Sequence, residues 1–177
     1  EADDIAMGCA LQQGTTGNNI ARQAALRAGM PVTVSGMTID RQCSSGLMGV
    51  ATAAKYIIND GAPIAIGAGI ESISLVQNGN MNGFMARDPW LSEHVPALAT
   101  SMLETAEVVA ERYNISREAQ DEYALRSQQR TAQAQSEGRF DKEIAPMTTV
   151  MKVVVNKETG ETADKEITIS ADEGNRP

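Results

Sequence analysis

Aromatic side chains are scarce in this sequence: one Trp, three Tyr and two Phe supply 3% of the 177 residues, whereas 42% are hydrophobic. A chain of this length holds one core. That core must therefore be filled by Ala, Val, Ile, Met and Gly. Small residues let neighbouring backbones approach closely, so the composition predicts closely packed helices.

Cysteine and histidine are also rare, with two Cys and one His. Cys9 and Cys43 lie in unrelated contexts, which speaks against a disulfide framework or a metal site and fits a reducing compartment. We expect no metal ion and no permanently bound cofactor. The expected location is the cytoplasm, with an organellar matrix as the alternative because a removed targeting segment would not be visible.

Excess positive charge and long apolar runs are missing as well. The formal net charge is −8, which leaves no basic surplus to neutralise a nucleic-acid backbone. No apolar run approaches the roughly 18 residues that a membrane-spanning helix requires. We therefore expect neither nucleic acid nor a membrane span.

Strand and helix patterns alternate over the first 67 residues. This alternation predicts a mostly parallel sheet with helices on its faces. The helix after Cys43 is small or apolar on every side, which is typical of a helix buried in the interior. Beyond Gly69 the Asn, Gly and Pro content indicates a long irregular segment, followed by two helices and two strands.

Cys43 is the strongest candidate for chemistry. It lies between the strand-like run at residues 32–39 and a helix of small residues that it is expected to open. The positive end of a helix dipole stabilises a thiolate, and the thiolate is the nucleophilic form of cysteine. The alternative is a buried apolar filler, the commonest role of a free cysteine.

Five segments of the chain, in order and spacing, resemble those of the thiolases, the acetyl-CoA acetyltransferases and 3-ketoacyl-CoA thiolases. The segment around Cys43 is similar to the family's acyl-enzyme cysteine motif. It reads Ser-Gly-Met-Thr-Ile-Asp-Arg-Gln-Cys-Ser-Ser-Gly-Leu. The other segments are residues 14–26, 65–74, 102–110, and 115–128 with 138–146.

The resemblance implies a layered α/β fold with a mixed or parallel sheet, a buried central helix and an inserted helical loop domain. Residues 1–70 would belong to the N-terminal core and residues 71–177 to the loop domain and its connecting segment. The implied activity is formation or cleavage of 3-ketoacyl-CoA through an acyl-cysteine at Cys43, with coenzyme A and acetyl-CoA as substrates. The implied assembly is a homodimer or homotetramer.

Three further residues match family positions near substrate: Ser101 and Met102 at the acyl pocket, and Arg176 near the CoA nucleotide. Family members specialised for short chains can have His-Met where this chain has Ser101-Met102, so the acyl chain length stays open. Met102 as a core filler and Arg176 as a solvated charge are the alternatives. Glu71 is expected to hold local backbone N–H groups.

Thiolases are roughly twice as long as this chain. Their second half carries a Gly-His-Pro type motif and a second Cys in a Cys-x-Gly-Gly-Gly turn. Here the only histidine is His94, and Cys9 is the only other cysteine. We therefore expect an N-terminal fragment that is inactive alone. A decarboxylating condensing enzyme and a non-catalytic acyl-CoA or lipid-binding protein, both of the same fold, stay open.

Overall fold

A three-stranded parallel sheet organises the first part of the chain. The computed structural model describes residues 2–176, in two units of which one ends at His94 and the other begins at Val95. The first unit contains β1 (Asp4–Gly8), α1 (Ile20–Arg27), β2 (Ser35–Ile39), α2 (Ser45–Asp60), β3 (Ala65–Gly69), α3 (Ile73–Val76) and α4 (Pro89–His94). The strand order is β2-β1-β3 and both pairings are parallel. The predicted parallel sheet is confirmed.

Helix α1 begins and ends where local signals indicate. The Asn19 side chain accepts the Arg22 N–H and so caps the helix. Gly29 has a φ of +79°, a left-handed conformation that ends helices. The same two residues also hold the neighbouring chain. Asn19 Nδ2 donates to the Gly36 carbonyl of β2 at 2.7 Å, and the Arg22 guanidinium donates at 2.8 Å to the carbonyl of Val32, which precedes β2.

Small side chains form the core of the first unit, as the composition predicts. Ile5 of β1 packs with Ala21 and Ala25 of α1 and with Val34. No aromatic residue is buried in the described part of the chain. The buried hydrophobic residues are Ile5, Ala6, Cys9, Ala21, Ala25, Val34, Ala53 and Val76.

Helix α2 lies directly on the sheet because glycines line the contact. A Cβ added to Gly49 would lie 2.6 Å from the Ala68 carbonyl oxygen, and one added to Gly8 would lie 2.0 Å from the Ser45 backbone. Both distances are too short for any side chain. The buried residues of α2, Ser45, Gly49 and Ala53, form the face that packs on the strands.

The opposite face of α2 is exposed, so burial of this helix on every side is not confirmed. Leu47 is 74% exposed and Ile58 78%. The physical reason is that the sheet covers one face of the helix, and residues 2–94 provide no second layer over the other.

The second unit consists of two helices and a β-hairpin. Its elements are α5 (Met102–Arg112), α6 (Arg117–Ser136), β4 (Met147–Asn156) and β5 (Glu161–Ile169), with the strands antiparallel. Both helices and both strands were expected. The residue pattern indicates strands over residues 150–156 and 165–170, and the observed strands begin three and four residues earlier. No helix among residues 2–176 combines the length and the hydrophobicity needed to cross a bilayer. The assignment of residues 71–177 to a loop domain and its connecting segment stays a prediction.

Candidate active site

A cavity of about 560 Å³ lies where the three parallel strands end. Gly8 and Gly69, the last residues of β1 and β3, both line it, and Cys43 lines it from the turn that follows β2. In open α/β sheets ligands bind at the carboxyl ends of the strands, where the loops after neighbouring strands converge. The cavity therefore has the position expected of a binding site.

Cys43 is exposed on the turn between β2 and α2. Helix α2 begins at Ser45 with Ser44 as its N-cap, so Cys43 precedes the cap. The expectation that Cys43 itself opens the helix is therefore wrong by two residues, because the cap and first turn are taken by the two serines. The alternative of a buried filler is also wrong, since the thiol is exposed.

The turn that carries Cys43 is held by the polar groups of its neighbours. Ser45 Oγ donates to the Gln42 carbonyl at 2.6 Å and accepts the Arg41 N–H at 2.8 Å, and the Gln42 N–H donates to Asp40 Oδ1 at 2.8 Å. Gln42 has a φ of +49°. A non-glycine residue keeps this left-handed conformation, at a cost of about 1–3 kcal/mol, where its surroundings over-determine it. The Cys43 N–H takes no part in these bonds.

Glu71 joins the loop after β3 to the loop after β1. Its carboxylate accepts the Ala10 N–H at 2.8 Å and the Leu11 N–H at 3.3 Å. The prediction that Glu71 holds backbone N–H groups is confirmed. Sequence reasoning did not place Glu71 on the same cavity as Cys43. The available signal was that each follows a strand of one parallel sheet.

Cys9 lines the same cavity but is 1% exposed. Burial raises the pKa of the Cys9 thiol, a hydrogen bond with Thr16 opposes this rise, and the negative charge of Glu71 adds to it. A raised pKa keeps Cys9 as the neutral thiol. The two cysteines thus share one cavity, which their sequence contexts did not indicate, and Cys43 is the one that is accessible.

The three predicted substrate contacts lie in the second unit. Ser101 caps α5: its hydroxyl accepts the Glu104 N–H at 3.2 Å, and Glu104 Oε2 accepts the Ser101 N–H at 2.9 Å. Met102 is 76% exposed, so it is not a core residue of its unit. The Arg176 N–H donates to Gln128 Oε1 at 2.7 Å, and Arg176 is exposed. Their roles toward substrate stay predictions.

Comparison with known proteins decides the family. The family model described as Thiolase, N-terminal domain, matches residues 1–173. The chain belongs to the thiolase family. The resemblance of the five sequence segments is thereby confirmed, and the parallel sheet with its helices is that of a thiolase N-terminal domain.

Individual thiolases match along nearly the whole chain. The 3-ketoacyl-CoA thiolase of Bacillus subtilis is 40% identical over 176 residues, which cover 99% of this chain and 44% of that protein. The peroxisomal 3-ketoacyl-CoA thiolase A of Mus musculus is 44% identical over 174 residues, 98% of this chain and 39% of that protein. The crystal structure of the Bacillus anthracis acetyl-CoA acetyltransferase matches with a TM-score of 0.74 and 35% identity, covering 99% of this chain and 44% of that one. The chain thus spans less than half the length of these thiolases.

Proposed function

We propose that this chain is the N-terminal part of a thiolase that forms or cleaves 3-ketoacyl-CoA through an acyl thioester on Cys43. The observation that carries the proposal is an exposed thiol, on a turn held by Ser45 and Asp40, facing a cavity at the carboxyl ends of the sheet. The relatives named 3-ketoacyl-CoA thiolase and acetyl-CoA acetyltransferase support acyl-CoA as the substrate class.

In the cleavage direction the Cys43 thiolate attacks the 3-keto carbon and forms a carbon–sulfur bond. The bond between C2 and C3 then breaks, and the departing acetyl-CoA carbanion takes a proton from a general acid. The thiolate of a second CoA attacks the acyl-cysteine and releases the shortened acyl-CoA together with the Cys43 thiolate. A sulfur nucleophile suits this sequence because its thioester is reactive enough to be passed on.

The tetrahedral intermediates need hydrogen-bond donors for their oxyanions. The Cys43 N–H is available for this role, because the bonds that hold its turn use the N–H groups of Arg41, Gln42, Ser44 and Ser45. The proton-transfer groups are proposed to come from the remaining part of the polypeptide. His94 is not on the cavity; it stacks on Trp90 at the end of α4, with ring centroids 4.2 Å apart.

The remaining features of the proposal concern the whole protein. Ser101 and Met102 would contact the acyl group and Arg176 the CoA nucleotide, within residues 71–177, which would form the loop domain and its connecting segment. The exposed face of α2 would be covered by the rest of the polypeptide, which makes α2 the buried central helix. We propose a homodimer or homotetramer located in the cytoplasm or an organellar matrix, in keeping with bacterial and peroxisomal relatives.

The first test compares the two thiols of the chain. Brief treatment with iodoacetamide followed by peptide mapping should label Cys43 at least about tenfold faster than Cys9, because Cys43 is exposed whereas the buried Cys9 remains protonated. Guanidinium-unfolded protein provides the control, in which the two rates should converge. Faster labelling of Cys9 in the folded chain would contradict the assignment.

The second test follows the acyl group in the full-length protein. Acetyl-CoA labelled in the acetyl carbonyl should leave a thioester on Cys43 that hydroxylamine releases. Cys43→Ser should lower turnover by at least about a thousandfold, because an alcohol is a far weaker nucleophile than a thiolate. Cys9→Ser is the matched variant and should still form the adduct on Cys43. A Cys43→Ser protein with most of its activity would rule out the acyl-cysteine.

A further inference from the structure

One wall of the cavity beside Cys43 is formed by Ala10 and Leu11, the loop residues that follow β1. We propose that Glu71 is a positioning residue for this wall. Its carboxylate holds the Ala10–Leu11 backbone in place, and this backbone in turn fixes the position of a group bound to Cys43 during acyl transfer. The inference rests on the proposed function. It assigns to Glu71 an effect on the reaction that is exerted through the backbone rather than on the reacting atoms.

Two backbone donors converge on the one carboxylate. Glu71 Oε2 accepts the Ala10 N–H at 2.8 Å, and Oε1 accepts the Leu11 N–H at 3.3 Å. An ionised carboxylate suits this arrangement because both of its oxygens accept and neither donates. Residues 61 positions apart in the sequence are thereby joined at the rim of the cavity.

The same loop is held from its other side by Thr16. This residue is 2% exposed, and its hydroxyl donates to the Leu11 carbonyl at 2.5 Å. At the ends of β1 and β3, the Ile70 N–H donates to the Gly8 carbonyl at 2.9 Å. This bond places Glu71 next to the loop that follows β1. The Leu11 residue is thus fixed at its N–H by Glu71 and at its carbonyl by Thr16.

Loss of the carboxylate would release one of these two attachments. The Ala10 and Leu11 N–H groups would then turn toward water, and the wall would move relative to Cys43. A displacement of about 1 Å between reacting groups can lower the rate of their reaction about 100-fold. None of the hydrogen bonds that hold the Cys43 turn involves Glu71, so the intrinsic reactivity of the thiol should not change.

The test uses Glu71→Ala and Glu71→Gln in the full-length protein. We expect Glu71→Ala to lower kcat/KM for thiolysis of acetoacetyl-CoA by about 10- to 100-fold, chiefly through kcat. Glu71→Gln keeps one acceptor oxygen and should lie between Glu71→Ala and the wild type. Glu93→Ala, which removes a carboxylate that is 80% exposed, is the matched control and should stay within about twofold of the wild type.

Two further readouts separate positioning from a loss of structure. The rate of Cys43 alkylation by iodoacetamide should be the same in all four proteins, because a small reagent does not need the wall. Amide exchange at Ala10 and Leu11 should be faster in both Glu71 variants. The exchange measurement on Glu71→Gln suffices if Glu71→Ala does not fold.

Three results would overturn the inference. The first is an unchanged kcat/KM in Glu71→Ala, and the second is unchanged amide exchange at Ala10 and Leu11. The third is a fall in the rate of Cys43 alkylation that parallels the fall in turnover, because Glu71 would then act on the nucleophile itself. The wild-type protein is assayed in parallel for its thioester on Cys43. Absence of that thioester would count against the proposed function, whereas its presence with a fully active Glu71→Ala would count against the positioning role alone.

Discussion

The two units of the chain are stabilised in different ways. All buried hydrophobic residues of the described chain lie in the first unit, between Ile5 and Val76. Every described residue from 95 to 176 is at least partly exposed. The second unit instead has local interactions. These are the capping box at Ser101, the N-cap at Ser116, and exposed ion pairs such as that of Lys152 with Asp164 at 2.9 Å.

This difference separates tertiary from local contributions to folding. Packing of α2 and α1 on the sheet stabilises the first unit. Because a close-packed interior transmits strain, a small change in side-chain volume there affects the stability of the whole unit. Helix caps contribute about 1 kcal/mol each, and exposed ion pairs contribute about 0–1 kcal/mol. Substitutions should therefore have large effects in the first unit and small, local effects in the second.

The largest effect is expected where α2 meets β1. Gly8→Ala places a Cβ 2.0 Å from the Ser45 backbone, so the helix must move off the strand. We expect a loss of about 3 kcal/mol or more in the free energy of unfolding, measured by urea denaturation. Gly79→Ala is the control, since no atom lies within 4 Å of its added Cβ. Equal urea midpoints for the two variants would show that the contact is not tight.

A matched pair of valine truncations compares the two units directly. Val34 is 2% exposed in the core of the first unit, and Val150 of β4 is 59% exposed. Val34→Ala should lower the free energy of unfolding by about 2 kcal/mol, whereas Val150→Ala should change it by at most about 0.5 kcal/mol. The measurement is again urea denaturation. A larger loss for Val150→Ala would reverse the comparison.

Removal of a cap should have a smaller effect that stays within the second unit. The Ser116 hydroxyl accepts the Ala119 N–H at 3.2 Å at the start of α6. Ser116→Ala should destabilise α6 by about 1 kcal/mol, seen as faster amide exchange in its first turn. Ser127→Ala, in the interior of α6, provides the control. Exchange that also accelerates in α1 would mean that the effect is not local.

The smallest effect concerns the titration of Cys9. Its folded-state pKa is raised above the ordinary value of 9.0, first of all by burial. The neutral thiol is therefore favoured by folding, and its contribution to stability is present below the unfolded-state pKa and lost as the pH rises through the folded-state pKa. As the pH rises through and above 9.0, the wild type should lose stability relative to Cys9→Ala. A constant difference in urea midpoint would show that Cys9 does not contribute.

Local features of the fold were predictable because their signals lie within a few residues. The Asn19 and Ser116 side chains cap α1 and α6, and Gly29 and Gly138, with φ values of +79° and +66°, follow the ends of these helices. Alternating strand and helix periods indicated the parallel sheet for the same reason. The type of each element and the ends of the helices depend on backbone conformation and capping, which are determined by residues within the same segment.

Features that depend on distant contacts were not predictable. The order β2-β1-β3 brings Glu71 to the Ala10 N–H, and nothing near either residue indicates the other. Burial of Cys9 follows from the same convergence. The apolar surface of α2 was visible in the sequence, but a residue pattern does not say what covers each face. The cysteine motif was recognised as a whole, whereas the exact start of α2 depends on the Ser45 hydrogen bonds.

The central place of β1 in the sheet has a consequence for biosynthesis. This strand is made before both of its partners in the sheet, β2 and β3, and Ala65 of β3 lies opposite Asp4. At about 5–20 residues per second, a ribosome needs several seconds to proceed from β1 to β3. Cys43 is therefore synthesised before Gly69 and Glu71, which also line its cavity. The Cys43 thiol is present in the nascent chain before its cavity, and pairing of β3 with β1 is the step that completes the cavity.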